Sequence, residues 1–245
     1  MTAVPTRKDE AWRYSDLAAL ERVWPLPAPE NIVVPADGML ERTIVQDAPE
    51  GEAAVHRLSL SLGKGATARL DILNVGGVFG RIEVDAVLHE GADFALNAVQ
   101  VGGSMQVLEI VTNVRHAGPG ATSRQIVRSV LAGKAIGTYL GKVAVDRDAQ
   151  KTDAEQSVRA MLLDRTATAN AKPELEIYAD DVKCAHGAAV GELDANGLFY
   201  LQSRGLPPAE ARKLMLQAFV AGAFDGAERE EELQALALAR LGELA

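Results

Sequence analysis

The sequence predicts a mainly β chain, wound as a solenoid or β-helix through its middle and finished by helices, and three observations carry that expectation. Large rings are scarce between positions 25 and 177, where only Phe79, Phe94 and Tyr139 occur. Trp12, Tyr14 and Trp24 precede that region, and Tyr178, Phe199, Tyr200, Phe219 and Phe224 follow it. An interior so poor in rings is filled by Val, Ile, Leu and Ala, which suits a narrow core of stacked short strands. Apolar side chains recur at every second position in Thr67-Ala68-Arg69-Leu70-Asp71-Ile72 and in Arg81-Ile82-Glu83-Val84-Asp85-Ala86-Val87, the alternation expected of strands with one wet face. Gly-Ala pairs at 65-66, 91-92 and 120-121 punctuate these strands at intervals of 26 and 29 residues. Such a degenerate repeat is what a solenoid needs, because each coil buries its apolar face against its neighbours. A β-sandwich with recurring turns is the competing architecture for this pattern alone.

Taken in order, residues 1–30 form an N-terminal segment with a short helix, residues 31–190 the β-helix core and residues 191–245 a C-terminal helical segment. After Tyr178 the period lengthens, and Ala211, Leu214, Met215, Ala218 and Phe219 share one helix face. Leu198 to Arg204 also reads as helix, with a late start because Gly197 costs about 1 kcal/mol of helix stability relative to alanine. Gly205 has the place of a C′ glycine and Pro207-Pro208 suit the start of the next helix, so the pair reads as a helical hairpin ended at Gly226. From Glu228 to Leu244 a last helix puts Leu233, Leu236, Ala237 and Leu241 on one stripe. Its polar face is acidic, since residues 225 to 245 carry six acids against two arginines.

Composition bounds the function. With 245 residues, 48% of them hydrophobic and 24% charged, the chain is globular and long enough for a sizeable core. A formal net charge of -9 with no stretch dense in Lys and Arg argues against nucleic acid as a partner. The opening MTAVPTRKDEAWRY carries charges where a signal peptide needs apolar residues, and no run of eighteen apolar residues occurs, so the expected location is cytoplasmic, away from the membrane.

Catalytic motifs fail at defined positions. Gly133-Lys134 is followed by Ala135 rather than Ser or Thr, and Arg128 stands where a Walker A motif has its first glycine. Gly102-Gly103-Ser104-Met105-Gln106 lacks the closing glycine of a nucleophile elbow, and His89-Glu90 has no second histidine three residues on. The four histidines, His56, His89, His116 and His186, are far apart in sequence. Only His186 has a suggestive neighbour. Cys184, the single cysteine, is two residues away, so on a strand both project from one face, as a thiolate and an imidazole suited to iron or zinc. One cysteine cannot hold an iron–sulfur cluster alone, so any such chemistry is shared. The plainer reading makes Cys184 a small packed hydrophobe and His186 a turn residue.

The segment Pro173-Glu174-Leu175-Glu176-Ile177-Tyr178-Ala179-Asp180-Asp181-Val182-Lys183-Cys184-Ala185-His186-Gly187 resembles the P-x-L-E-I-x-A-D-D-V-K-C-x-H-G segment of the SufB/SufD iron–sulfur assembly proteins, on the SufD side of that family. Phe199-Tyr200-Leu201, Ser203-Arg204-Gly205, Gln150-Lys151-Thr152-Asp153-Ala154 with Leu162-Leu163, and the opening Glu10-Ala11-Trp12-Arg13-Tyr14 are similar to it as well. The resemblance covers roughly residues 120 to 225 and the N-terminus, in a chain shorter than many members.

It implies a right-handed parallel β-helix core with helical segments at both ends, and a scaffold rather than an enzyme. It also implies pairing with a SufB-like paralogue through the β-helix and docking of a SufC-type ABC ATPase on the C-terminal helices. A nascent iron–sulfur cluster would pass through the partner interface, with no cofactor held stably by the chain alone. His186 matches the family's functionally implicated histidine, with Cys184 beside it, and Phe199, Tyr200, Arg204 and Gly205 mark the partner-binding segment. Unpaired strand edges allow a homodimer when the paralogue is absent. Two other functions compete: a carbohydrate-active β-helix enzyme, and a purely structural partner without ligands.

Overall fold

The computed structural model describes residues 4–244. Twelve strands make the body: β1 Glu30–Val34, β2 Met39–Gln46, β3 Ala53–Leu62, β4 Thr67–Asn74, β5 Phe79–Leu88, β6 Asp93–Gly102, β7 Val107–His116, β8 Thr122–Leu131, β9 Ile136–Val145, β10 Asp153–Leu162, β11 Thr168–Ile177 and β12 Lys183–Gly191. Odd strands stack in one six-stranded sheet and even strands in a second, and the chain steps from one to the other at every turn. Every paired strand is parallel and in register with the strand one coil away, as in Ile110 with Tyr139 and Gln125 with Gln156. The result is a flattened parallel β-helix.

The Gly-Ala repeat marks one corner of successive coils. Gly65, Gly91 and Gly120 have φ of 66°, 65° and 69°, the left-handed region that glycine enters without penalty. Their N–H groups donate to the next coil, to the carbonyls of Glu90 at 2.9 Å, Pro119 at 2.9 Å and Gln150 at 2.8 Å. The following Ala66, Ala92 and Ala121 are fully buried, as is Thr152 at the equivalent place in the last coil. Asp37 and Lys151 hold the same corner in the first and last coils, also at positive φ.

The inner core between the sheets is aliphatic, with Leu58, Leu60, Leu70, Ile72, Ile82, Val84, Ile110 and Val143 at its centre. The outer faces are only partly wet: Asp85, Arg115, Arg124 and Glu155 are exposed, as the alternation predicts, but other outward positions are covered. Leu73, Val75, Val99, Val101 and Val130 on the even sheet lie under helices, and Arg81 on the odd sheet is fully buried. A single 3₁₀ turn at Glu10–Trp12 and helix α1, Leu17–Glu21, pack on the odd sheet. Asp16 caps α1 by accepting from the N–H groups of Ala18 and Ala19, both at 3.1 Å, and Ala19 and Leu20 are buried with Phe79 and Val107.

This segment is fastened by charge. Arg81 bonds Glu83 at 2.7 Å and the buried Glu109, Ser15 Oγ donates to Glu109 at 2.9 Å, and the Trp12 ring covers the guanidinium at 3.8 Å. Burial pushes the Glu109 carboxyl above its ordinary range, against the opposing pull of Arg81 and Ser15.

Three helices end the chain: α2 Ala195–Ser203, α3 Pro208–Ala221 and α4 Glu230–Glu243. The first starts earlier than Gly197 suggests, because Asp194 caps it, accepting from the N–H groups of Asn196 and Gly197 at 3.1 Å. Its end is as expected. Gly205, at φ 96°, donates to Gln202 and Leu206 donates to Leu201, the paired bonds of a Schellman motif, and α3 begins at Pro208. That helix closes at Ala221 rather than Gly226, and its packed side differs from the predicted face. Ala211, Leu216 and Val220 are buried while Leu214 and Ala218 are exposed, since α3 must meet both α4 and the sheet. Helix α4 buries Leu233, Ala237 and Leu241 as predicted.

One buried histidine sets an acid limit on this fold. His116 lies in the core with Nε2 at 2.9 Å from Ser123 Oγ and Nδ1 unpartnered, and burial lowers its pKa to about 4. The unfolded chain therefore binds the proton more tightly. The stability His116 contributes is complete above pH 6.5 and is lost as the pH falls toward about 4. A His116→Gln variant is expected to show a flatter urea midpoint than the parent over that range, with the difference approaching roughly 3 kcal/mol. Parallel pH profiles would show that His116 is not the titrating group.

Candidate ligand site at the open end of the β-helix

The last coil decides what the chain can present. Strands β11 and β12 are the terminal strands of their sheets, so among the described residues no further coil covers their free edges. In parallel pairing, residues in register point to the same face. Cys184 is in register with the buried Ala154, and His186 with the buried Gln156. Both side chains therefore belong to the inward row, which in earlier coils fills the core. At this end the row opens to solvent: Cys184 is half-buried against the inner core and His186 is exposed. The two Cα atoms are about 7 Å apart along the strand.

Cys184 does not act as a thiolate unaided. Burial pushes its thiol above the ordinary range and Asp153 adds to this, while the Ala154 backbone N–H opposes it. Ligation requires a positive charge brought to the sulfur, as an incoming iron ion would supply. Among the described residues no group of three or more His, Cys, Asp or Glu side chains is arranged to hold a metal. Cys184 and His186 thus stand as two side chains of donor chemistry on an open edge. Around them, Ile177, Tyr178 and Val190 are exposed apolar residues of the same end.

The hairpin residues lie elsewhere. On α2, Phe199 and Tyr200 are 73% and 56% exposed, so neither anchors a core, and Leu214 of α3 is also exposed. Arg204 stacks on the Tyr200 ring at 5.1 Å, and Gly205 serves the turn. The structure does not bring these four residues together with Cys184 and His186 into one site.

A cleft of about 460 Å³ between the 3₁₀ turn and the odd sheet is the place an enzyme reading would look. Three of its acids are tied to cations, Glu83 to Arg57 at 2.6 Å and to Arg81, Glu174 to Lys172 at 3.0 Å, and Glu10 to Lys172, while Asp85 also lines it and is exposed. Lys172 holds the Glu10 carboxyl below its usual range. A glycosidase acid needs a carboxyl raised by an apolar site, which this cleft lacks among these pairs.

Sequence reasoning missed the polar interior behind His186. Thr112, Gln125, Tyr139 and Gln156 are buried together between the sheets. The signal was present, because Gln125 and Gln156 stand two residues before Val127 and Val158, in phase with the core positions.

A parallel β-helix whose last described coil exposes a histidine beside a half-buried cysteine, with exposed rings on an outlying helix, defines a class: a coiled β protein with an uncovered end. Residues 30–219 match the family model described as "SUF system FeS cluster assembly, SufBD core domain", and the chain belongs to that family. It is 34% identical over 185 residues to "Iron-sulfur cluster assembly protein SufD" of Escherichia coli, covering 75% of this chain and 44% of that protein. It is 34% identical over 203 residues to "Protein ABCI7, chloroplastic" of Arabidopsis thaliana, covering 80% and 42%. Over 123 residues it is 34% identical to the SufD protein of Bacillus subtilis, covering 50% and 28%. The chain thus spans less than half the length of these relatives. No helix among the described residues is long and apolar enough to cross a membrane.

Proposed function

We propose that this chain is a non-enzymatic scaffold subunit for iron–sulfur cluster assembly. It pairs with a SufB-like paralogue through the open end of its β-helix and receives a SufC-type ABC ATPase on the helical hairpin. One observation carries the reading: Cys184 and His186 occupy the inward row of a coil that no further coil covers among the described residues. A partner coil stacked on β11 and β12 would satisfy their free backbone groups and bury Ile177 and Val190. It would also bring its own ligands to the two supplied here, completing the four that a cluster usually takes. The cluster is cargo in this scheme, formed across the interface and passed on.

The exposed Phe199 and Tyr200 support a second, separate contact, since aromatic side chains are common anchors of interfaces. Changing both to serine is expected to abolish retention of the ATPase in pull-downs while leaving the paralogue bound and the melting temperature unchanged. Loss of both partners, or of neither, would refute the division into two surfaces. Deleting residues 194 to 245 is a poorer test, because it also strips α3 and α4 from Leu73, Val99 and Val130 and exposes a core face.

A purely structural subunit, with no ligand role, is the remaining alternative. It predicts that alanine at both Cys184 and His186 is silent.

A further inference from the structure

Behind the last coil the inward row changes character. Gln125 and Gln156 occupy adjacent coils in register, and His186 is the next position in the same row, about 4.8 Å from Gln156 by strand spacing. The Tyr139 hydroxyl, from the facing sheet, organises the glutamines. It accepts from Gln156 Nε2 at 3.0 Å and donates to Gln125 Oε1 at 3.2 Å, and Thr112 Oγ1 lies 3.0 Å away. Gly141 makes room for that hydroxyl, since a Cβ there would lie 2.1 Å from it.

These bonds fix the Gln156 amide with its nitrogen inward, and its oxygen is left over. Gln156 is 1% exposed, yet its Oε1 has no hydrogen-bond partner. Gln125 Nε2 does not fill that role, for it too is unpartnered although it belongs to the neighbouring coil. A buried amide oxygen left without a donor costs about 1–3 kcal/mol, so the side of Gln156 facing the open end is where a donor belongs. The next residue of the inward row on that side is His186.

We propose that Gln156 is a positioning residue for His186: its Oε1 accepts a hydrogen bond from one imidazole N–H and leaves the other ring nitrogen, with its lone pair, directed to the open end. Metal-binding histidines are commonly held this way, with the second nitrogen donating to a fixed oxygen that sets tautomer and ring orientation. The buried chain Thr112–Tyr139–Gln156 then acts as the rigid support of a ligand that is itself on an exposed edge. The Tyr139 phenol, pushed up to about 12 by burial, remains a neutral hydroxyl throughout the physiological range. This inference rests on His186 being a ligand, as proposed above, but it concerns a hydrogen bond that can be read directly.

The test is nitrogen-15 NMR of histidine-labelled chain at a pH where the imidazoles are neutral, with the exposed His89 as internal reference. The parent is expected to show His186 biased toward one tautomer by roughly fivefold or more relative to His89. In Gln156→Leu that bias collapses to the His89 ratio, and in Gln156→Glu, which keeps an acceptor, it is restored. A parent His186 with the same tautomer ratio as His89 would overturn the proposal without any variant, and so would a bias unchanged in Gln156→Leu. If the leucine variant fails to fold, the parent ratio and the glutamate variant decide. Failure of the ligand reading shows separately, as normal cluster delivery by His186→Ala with the tautomer bias of the parent intact.

Discussion

Replacing Arg81 with leucine will lower the unfolding free energy by about 3–5 kcal/mol at neutral pH, the usual cost of leaving one member of a buried ion pair behind. Arg81 and Glu109 are each 1% exposed, and the pair joins Glu83, Ser15 and the Trp12 ring into the fastening of the N-terminal segment. Without the guanidinium, burial acts on the Glu109 carboxyl unopposed and its folded pKa rises further. The sign of the pH dependence follows. A carboxyl with a raised folded pKa contributes its stability below the unfolded value of 4.5 and loses it as the pH climbs through the folded value. The deficit of Arg81→Leu against the parent should therefore be largest at neutral pH and shrink toward pH 5. Urea unfolding at several pH values measures it. A deficit under about 1 kcal/mol, or one that grows on acidification, would mean the pair does not hold the segment.

Changing His186 to alanine will cut cluster delivery in cells by roughly tenfold or more, the scale at which disturbed metal sites lose affinity or activity, while the melting temperature falls by no more than about 10 °C, the scale of one lost hydrogen bond to Gln156. The separation is expected because His186 is exposed and makes no packing contribution that alanine would forfeit. Cys184 is different. It packs against the inner core and its thiol is held protonated, so alanine there should cost some stability and a smaller part of delivery. Complementation of a strain lacking the chain, with protein levels matched, reads both. Full delivery by the double variant would leave only the structural-partner role.

The architecture was legible in sequence because a β-helix repeats its requirements. Each corner along the Gly-Ala row has a residue at positive φ, and in three successive coils Gly65-Ala66, Gly91-Ala92 and Gly120-Ala121 state it in plain residue types, with a buried methyl after the glycine. Asp37 and Lys151 fill the same corner without glycine, so the first and last coils were hidden from a search for Gly-Ala pairs. The wet faces hold only in part, at positions such as Asp85, Arg124 and Glu155, because alternation records which residues face the inner core and says nothing of what later covers the other side. Helices α3 and α4 cover one sheet and the Trp12 segment part of the other. The packed side of α3 was also misjudged. Leu214 fits a helical stripe, but the helix sits against two surfaces and leaves Leu214 outside both.

Of the candidate site, the pairing of Cys184 with His186 on one strand face was visible from their spacing. Their place on the inward row of an uncovered coil was not, since that depends on register with Ala154 and Gln156 across the sheet. The support from Gln156 and Tyr139 required the facing sheet, because Tyr139 reaches both glutamines across the core.

The most direct measurement is photo-crosslinking in the protein's own cells, grown without oxygen, with a photo-reactive benzoylphenylalanine in place of the exposed Ala188 on β12. Docking of the paralogue on the open end predicts a single major adduct to a SufB-like protein, with an ABC-type ATPase co-purifying but not crosslinked from this position. An adduct to the ATPase, or no adduct at all while the complex still purifies, would contradict a partner coil seated over Cys184 and His186.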